Sequence, residues 1–268
     1  MTVLDVETKD HVALVRLNRP EARNALSPEL VGRLAGLWPT LRDDPAVRVV
    51  VLTGAGDSTF CAGFDLARSI PLMTGARAPE DDWDRAMLAD PGLVGIATLR
   101  DFDLECPLVV AANGHAIAGG MEMLLAGDLA VVAAGARLGL SEVRLGLIPG
   151  MGGTARLARL MPPAMAAEIL LTGQPIAAEA ALAAGFVNRV VPADQVLATA
   201  MGLAQTIAAN APLAIKAARA VMRRSGDLTE VEALALEREQ VQKLVTTEDA
   251  VEGPRAFLEK RPPVFHGR

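Results

Sequence analysis

The sequence predicts an α/β fold: a core in which strands and helices alternate, followed by a C-terminal region made only of helices. Short apolar runs that end in turn residues recur from the N-terminus, with helical periodicity between them, which is typical of an α/β core. Beyond residue 191, consecutive helical segments replace the strand-like runs. Aromatic residues make up only 3% of the 268 residues, so the core must consist mainly of Ala, Leu, Val and Met. We therefore predict a core with the active site at 1–192 and a helical region at 193–268.

The individual elements follow from local patterns. Residues 3–7 and 12–17 alternate apolar and polar side chains around Lys9-Asp10, which predicts a β-hairpin. Ser27-Pro28 marks a helix start, because the hydroxyl can cap the first turn and proline fits within it. Further strands are predicted at 47–52, 108–112 and 129–133, and C-terminal helices at 195–209, 213–223, 229–245 and 248–260. The acidic segment 81–91 (DDWDRAMLADP) is interpreted as a solvated loop in a mobile or variable insertion.

Composition and charge exclude several classes of function. A net charge of −6 disfavours general nucleic-acid binding, which needs a basic face. The two cysteines, Cys61 and Cys106, form neither a disulfide framework nor a metal-ligand pattern, as expected in a reducing compartment. The N-terminus resembles no targeting peptide, and the most apolar stretch, 107–127, has Glu122 near its middle, which disfavours a membrane span. We expect a cytoplasmic protein with no nucleic-acid or membrane partner.

Two glycine-rich segments follow predicted strands. They are 60–66 (FCAGFDL) and 113–122 (NGHAIAGGME), and the second leads into a predicted helix. Glycines at such a junction allow a ligand to approach the backbone, and free N–H groups at a helix start favour negative charge. The structural alternative is a pair of tight turns.

Two glutamates lie in apolar surroundings. Glu122 belongs to the apolar run MEMLLAG, and Glu142 precedes the Gly- and Pro-rich segment 147–153. An ionised group is costly to bury, and paired carboxyl groups in such settings are suited to acid–base chemistry. The alternative is two structural ion pairs, with Arg144 or Arg156 as partners.

Motifs for other functions are incomplete or absent. Residues 150–155 fit part of a dinucleotide fingerprint but lack a clean preceding strand, and the chain has neither a phosphate-binding Walker lysine motif nor a G-x-S-x-G elbow. The three histidines are scattered, so no metal site is predicted, and His115 is interpreted as a loop or core residue.

Taken together, these segments resemble the crotonase (enoyl-CoA hydratase/isomerase) superfamily over nearly the whole chain. The matching pieces are 18–20 (NRP), 23–26 (RNAL), 50–54 (VVLTG), 60–66, 113–122, 127–128, 142–153, 171–173, 184–187 and 259–261. The resemblance implies a crotonase-like (ClpP/crotonase) spiral of ββα units. It also implies a C-terminal helical oligomerisation region that forms homotrimers or dimers of trimers.

The same resemblance implies an acyl-CoA thioester substrate and no separate cofactor, since CoA is part of the substrate. It assigns an oxyanion hole to the backbone N–H groups of Phe64 and Gly119. Two such donors stabilise an enolate-like transition state more than the ground-state carbonyl. Glu122 corresponds to the base that orients water, and Glu142 to the proton donor.

CoA-binding positions are also carried over from the family. Arg23 and Lys260, the latter from a neighbouring subunit, match cations near the nucleotide, with a solvated surface arginine as the alternative for Arg23. The remaining positions implied to bind CoA or the acyl group are Ala25, Ala62, Asp65, Leu66, Pro149 and Gly150.

The two glutamates together favour an enoyl-CoA hydratase. Family isomerases typically keep only the base at Glu142, and the dehalogenases place an aspartate nucleophile near there. The C-terminal segment 248–268 also resembles carnitinyl-CoA dehydratases, which is the principal alternative, and a non-catalytic acyl-CoA-binding protein is a further one. Phe64 stands where a small residue is commoner, and the divergent segment 67–105 is expected to set acyl specificity.

Overall fold

The larger of the two β-sheets begins with the N-terminal hairpin. The computed structural model describes residues 2–268, and in it β1 (Leu4–Lys9) and β2 (Val12–Leu17) pair antiparallel, as predicted. Four further strands continue this sheet: β3 (Val49–Gly54), β5 (Leu108–Ala112), β7 (Leu129–Ala133) and β10 (Arg189–Val191). The strand order is β1-β2-β3-β5-β7-β10, and every pair after the hairpin is parallel.

A smaller sheet lies beside the first, and its strands alternate along the chain with those of the larger sheet. It contains β4 (Thr59–Cys61), β6 (His115–Ile117), β8 (Arg137–Gly139) and β9 (Ile176–Ala177). β3 leads to β4, β5 to β6 and β7 to β8, and a helical segment follows each pair. This succession is the ββα spiral that the family resemblance implied. It places the ends of β4 and β6, where both glycine-rich segments lie, side by side.

The first half of the chain packs helices against this core. α1 (Pro28–Asp43) starts at Ser27, whose hydroxyl accepts the Leu30 N–H at 3.3 Å, which confirms the predicted cap. α2 (Ser69–Met73) and α4 (Gly92–Ala97) flank a third helix, α3 (Asp82–Ala89). The indole of Trp38 in α1 donates to the Ala97 carbonyl at 2.9 Å, joining α1 to the end of α4 inside the core.

The prediction of a solvated acidic loop at 81–91 is wrong, because this segment contains α3 and packs against α1. Asp81 caps the helix through the Asp84 N–H at 2.8 Å, and Asp84 is fully buried against Arg77 at 2.6 Å. Trp83 lies against Gly32, where an added Cβ would approach its ring to 2.7 Å. Asp81 is therefore a cap and Asp84 a buried ion-pair partner, whereas the Asp82 side chain is 95% exposed. Composition alone does not distinguish these roles.

The second half of the chain is mainly helical. α5 (Gly119–Ala126) is followed by α6 (Gly153–Leu160), α7 (Pro163–Thr172) and α8 (Ala178–Ala183). Short 3-10 helices occur at Pro20–Ala22, Glu142–Leu145 and Ala193–Gln195. The predicted C-terminal helices are all present as α9 (Val196–Ala208), α10 (Pro212–Ser225), α11 (Glu230–Leu244) and α12 (Glu248–Leu258).

The first of the C-terminal helices packs on the core, and the next two pack against each other. α9 packs across the central strands β3, β5 and β7, whereas α10 packs against α11. Two ion pairs, Arg219–Asp128 at 2.9 Å and Arg223–Asp128 at 2.8 Å, tie α10 to the start of β7. In residues 2–268 no single helix is long and apolar enough to cross a membrane. One pair, Ala193–Ala208 with Pro212–Ser225, reaches that length and apolarity only jointly, across a bend of 109°.

Candidate active site

Backbone hydrogen bonds join the loop after β4 to the segment before α1. The Leu26 N–H donates to the Gly63 carbonyl at 2.8 Å, and the Asp65 N–H donates to the Leu26 carbonyl at 3.1 Å. These two bonds form an isolated parallel bridge between Leu26 and Phe64. The bridge uses the Gly63 carbonyl and the Asp65 N–H, which flank Phe64. The Phe64 N–H itself has no acceptor in the described part of the chain. That amide is therefore available to a ligand.

Gly63 brings this loop against the start of α5. Its φ is +91°, a conformation that a side chain strains, and an added Cβ would lie 2.7 Å from the Ala118 Cβ and 3.0 Å from the Gly119 nitrogen. An added Cβ on Gly119 would in turn approach the Phe64 ring to 3.3 Å. The residues predicted to form the oxyanion hole are thus neighbours across a contact that only glycine allows.

The α5 N-terminus supplies the second amide. Ala118 adopts φ 52° and ψ −126°, a rare conformation for a residue with a side chain, and its N–H donates to Gly139 at 2.8 Å. Gly119 is the first helical residue, so its N–H has no partner within the helix. The positive end of the helix dipole lies at the same point. Together with the Phe64 amide, it forms a place suited to a developing negative charge.

Glu122 lies in the first turn of α5 and is almost completely buried, at 1% exposure. Its Oε1 accepts the Met151 N–H at 2.6 Å and the Gly153 N–H at 2.9 Å. Burial raises the pKa of this carboxyl, while the two amides and the charges of Arg156 and Arg100 act in the opposite direction. Because the amides bond to the charged form, they favour Glu122 as a proton acceptor.

Glu142 opens the 3-10 helix Glu142–Leu145, and its Oε2 is buried without a hydrogen-bond partner in residues 2–268. Burial, with a further contribution from the negative charge of Glu122, raises the pKa of Glu142 to about 7. A carboxyl of this kind holds its proton near neutral pH. It is therefore suited to donate a proton to a ligand, and its unpartnered oxygen marks the place where the ligand would lie.

The alternative of two structural ion pairs is not what the structure contains. Within residues 2–268, no basic side chain forms an ion pair with either Glu122 or Glu142. Arg144 instead lies near Gly173, and Arg156 donates to the carbonyls of Leu99 and Met151. The negative charge of Glu122 contributes to the raised pKa of Glu142, after the larger effect of burial.

The positions predicted to bind CoA are partly brought together. The Ala62 N–H donates to the Arg23 carbonyl at 3.1 Å, which places the exposed Arg23 and the buried Ala25 beside the 61–66 loop. Leu66 is 61% exposed at the edge of that loop. The Asp65 carboxylate pairs with Arg19 at 3.1 Å and accepts the N–H groups of Ala67 and Arg68, and its contact with CoA stays a prediction.

The remaining predicted positions lie further along the chain. Pro149 and Gly150 belong to the turn that carries the amides bonded to Glu122. Lys260 is exposed just after α12 and has φ 54°. No hydrogen bond joins it to the 61–66 loop within residues 2–268, and its place at a neighbouring subunit's site stays a prediction.

Sequence reasoning missed the groups that hold Glu122. The Met151 and Gly153 amides lie 29 and 31 residues from it. The signal for them was the glycine-rich turn itself, for which the resemblance implied contacts with CoA or the acyl group and no bond to Glu122. Arg100, which bonds to that turn, lies in a segment with no recognisable motif. The interpretation of His115 as a loop or core residue is wrong, because it is the exposed first residue of β6, and its Nδ1 accepts the Arg137 N–H at 2.9 Å.

The cysteines and metal-binding residue types add no second reactive centre. Both cysteines are free and buried, and burial raises the pKa of Cys61 to about 12 and that of Cys106 to about 11, so both stay thiols. In the described chain, no group of three or more His, Cys, Asp or Glu side chains is arranged to hold a metal ion.

Comparison with known proteins agrees with this fold. A family model described as enoyl-CoA hydratase/isomerase matches residues 7–268. The chain belongs to this family, and it is an enzyme of the crotonase superfamily.

Individual relatives cover the chain from end to end. The carnitinyl-CoA dehydratase of Proteus mirabilis (strain HI4320) is 38% identical over 269 residues, covering 99% of this chain and 98% of the relative. The (E)-benzylidenesuccinyl-CoA hydratase of Thauera aromatica is 38% identical over 262 residues, with 98% of each chain covered. The crystal structure of an enoyl-CoA hydratase from Bacillus anthracis matches with a TM-score of 0.89 at 33% identity, covering 99% of this chain and all of that one.

Proposed function

We propose that this enzyme adds water reversibly to a trans-2-enoyl-CoA, giving a 3-hydroxyacyl-CoA. The observation that carries the proposal is the pairing of two differently hydrogen-bonded glutamates, Glu122 buried and Glu142 half-buried, with two free backbone amides. Glu122 is equipped to accept a proton and Glu142 to donate one, while the Phe64 and Gly119 amides can hold an oxyanion. Relatives named as hydratases and dehydratases of CoA thioesters support the same class of substrate.

The proposed steps balance in atoms and charge. Glu122 accepts a proton from water as the water oxygen bonds to C3, and the electrons of the double bond move to the thioester oxygen. The Phe64 and Gly119 amides stabilise that oxygen as it becomes an enolate, a contribution of about 3 kcal/mol for each donor. Glu142 then gives its proton to C2. The cycle ends with a proton on Glu122 and a charge on Glu142, which solvent exchange reverses.

The direct test follows turnover of a panel of enoyl-CoA thioesters of different chain length, with mass spectrometry to detect gain or loss of water. Glu122→Gln and Glu142→Gln should each lower kcat by about 10²- to 10⁴-fold, because each removes one proton-transfer group and keeps its shape. Binding of a saturated acyl-CoA should stay within a few-fold of the original, as measured by calorimetry.

Three outcomes would contradict the proposal. Near-normal turnover of either variant would remove that glutamate from the mechanism. Turnover only by double-bond migration, with no change in water content, would identify an isomerase. Tight acyl-CoA binding with no turnover of any enoyl-, hydroxyacyl- or isomerisable thioester would identify a non-catalytic binding protein.

A second candidate is dehydration of a specialised 3-hydroxyacyl-CoA, such as carnitinyl-CoA. The 38% identity to carnitinyl-CoA dehydratases, which extends through the C-terminal segment, favours it. The chemistry is the same reaction in reverse, so the two candidates differ in acyl group and not in mechanism. Comparing kcat/KM for carnitinyl-CoA with that for straight-chain substrates distinguishes them.

We further propose that the working enzyme is a homotrimer or a dimer of trimers that needs no separate cofactor. Large apolar side chains of the C-terminal helices are exposed, including Val231 at 78%, Phe257 at 83% and Leu258 at 80%. Such exposure is typical of a surface that another subunit covers. Light scattering after gel filtration should give three or six times the chain mass, and dialysis against EDTA should leave turnover unchanged.

A further inference from the structure

A turn, and not an ion pair, holds Glu122 in place. The Met151 N–H that donates to Glu122 Oε1 belongs to the same peptide group as the Gly150 carbonyl. That carbonyl accepts a hydrogen bond from Arg100 Nη1 at 3.0 Å. A single peptide group therefore has a guanidinium bonded to its oxygen and a carboxylate bonded to its N–H.

Arg100 is itself held by unusual local structure. It follows Leu99, which has a positive φ of 57°, and its Nε donates to Asp101 at 2.9 Å. Gly95 allows this pair to approach α4, because an added Cβ would lie 2.0 Å from the Asp101 carboxylate. The Arg100 side chain remains 38% exposed, so it is not a packing residue of the core.

The physical effect of this arrangement is to strengthen the hydrogen bond to Glu122. A cation that bonds to a carbonyl draws electron density toward the oxygen and makes the N–H of the same peptide group a better donor. The other charged groups near Glu122 are Arg156, which lies in α6 and bonds to the Met151 carbonyl at 3.5 Å, and Glu142. Of the two arginines, only Arg100 bonds to the peptide group that donates the 2.6 Å hydrogen bond.

We propose that Arg100 is a positioning residue that acts on Glu122 through the Gly150–Met151 peptide group, keeping that carboxylate oriented and ionised for its task. This inference rests on the proposed function, since it concerns the same proton acceptor. It assigns a role in the reaction to the segment after α4, which no motif marks.

The test compares Arg100→Gln and Arg100→Lys with the original enzyme. R100Q should lower kcat about tenfold with little change in KM, a loss of about 1.4 kcal/mol. It should also move the acidic limb of the pH–rate profile to higher pH. R100K keeps the charge and should recover part of both effects. The matched control is Arg85→Gln in α3, which removes an exposed arginine paired with Asp82 and should change neither.

Two further measurements separate a positioning role from a structural one. R100Q introduced into Glu122→Gln should lower kcat no further, because its effect passes through Glu122. Carbon-13 titration of the Glu122 carboxyl, assigned with E122Q, should show a higher midpoint in R100Q than in the original chain. This titration needs no substrate, so it stands even if hydratase activity is absent. An unchanged midpoint, or full additivity of the two substitutions, would overturn the proposal.

Discussion

At the scale of single residues, the site depends on two identical side chains that have different environments. Glu122 bonds through Oε1 to two amides, whereas one oxygen of Glu142 has no partner in residues 2–268. Burial raises the pKa of both carboxyl groups, and at Glu122 two backbone amides and the charges of Arg156 and Arg100 act in the opposite direction. This difference in environment supports the proposed roles of Glu122 as proton acceptor and Glu142 as proton donor.

The raised pKa of Glu142 predicts a pH-dependent cost in stability. Its pKa rises from 4.5 in the unfolded chain to about 7 in the folded one, so the folded state binds this proton more tightly. The stabilisation is complete below about pH 4.5 and is lost as the pH rises through 7. The free energy of unfolding of Glu142→Gln, relative to that of the original chain, should therefore increase between these values and level off above them.

Denaturant titrations at several pH values would measure this difference. Glu239→Gln provides a control of opposite sign, because a hydrogen bond from Lys243 lowers the pKa of Glu239 and stabilises the ionised form. A difference between E142Q and the original chain that stays constant from pH 4.5 to 8 would contradict the assigned environment of Glu142.

At the scale of elements, the site is a junction between the loop after β4 and the start of α5. Backbone groups make this junction: the Leu26–Phe64 bridge on one side and the strained Ala118 on the other. Gly120 shows how close the elements are, since an added Cβ would lie 2.1 Å from the Cys61 carbonyl. Small residues are required because the two amides must point into one space.

Gly63→Ala tests this junction. The added methyl group would lie 2.7 Å from the Ala118 Cβ and would force the Phe64 and Gly119 amides apart. We expect kcat to fall by about 10²-fold or more, as for loss of one oxyanion donor. Gly135→Ala is the matched control, because Gly135 also has a positive φ, 75°, but open space around it. If both variants lost kcat equally, backbone strain and not the contact would be the cause.

At the scale of the whole molecule, an ion cluster fastens the helical C-terminal region to the spiral core. Asp128, at the start of β7, accepts from Arg219 and Arg223 of α10, and its N–H donates to the Leu108 carbonyl at 2.8 Å. The side chains of Arg219 and Asp128 are only 6% and 8% exposed. Breaking such a pair leaves a buried charge with one fewer partner, which is more costly than the pair is stabilising.

Asp128→Asn should therefore lower the free energy of unfolding by about 3 kcal/mol, the lower end of the range for a broken buried pair. Arg223→Gln removes the more exposed partner, at 33%, and should cost under about 1 kcal/mol. Urea titrations of both variants provide the comparison. Equal losses would mean that burial does not decide the strength of this cluster.

The sequence determined those features of the protein that short segments encode. The hairpin, the cap at Ser27, the buried strands, the C-terminal helices and the superfamily itself follow from local patterns and motifs in order along the chain. Glu122 and Glu142 were identifiable for the same reason, because a carboxyl group in apolar surroundings can be recognised from the sequence alone.

The tertiary structure alone decided what lies next to those residues. Segment 81–91 contains the helix α3 because Trp83 packs against α1 and Asp84 forms an ion pair with Arg77. The bonds to Glu122 come from a turn that lies 29 and 31 residues away and is held by Arg100. Such contacts depend on how separate elements pack. Burial changes their energies only when groups that are distant along the chain are brought together, so no local sequence pattern predicts them.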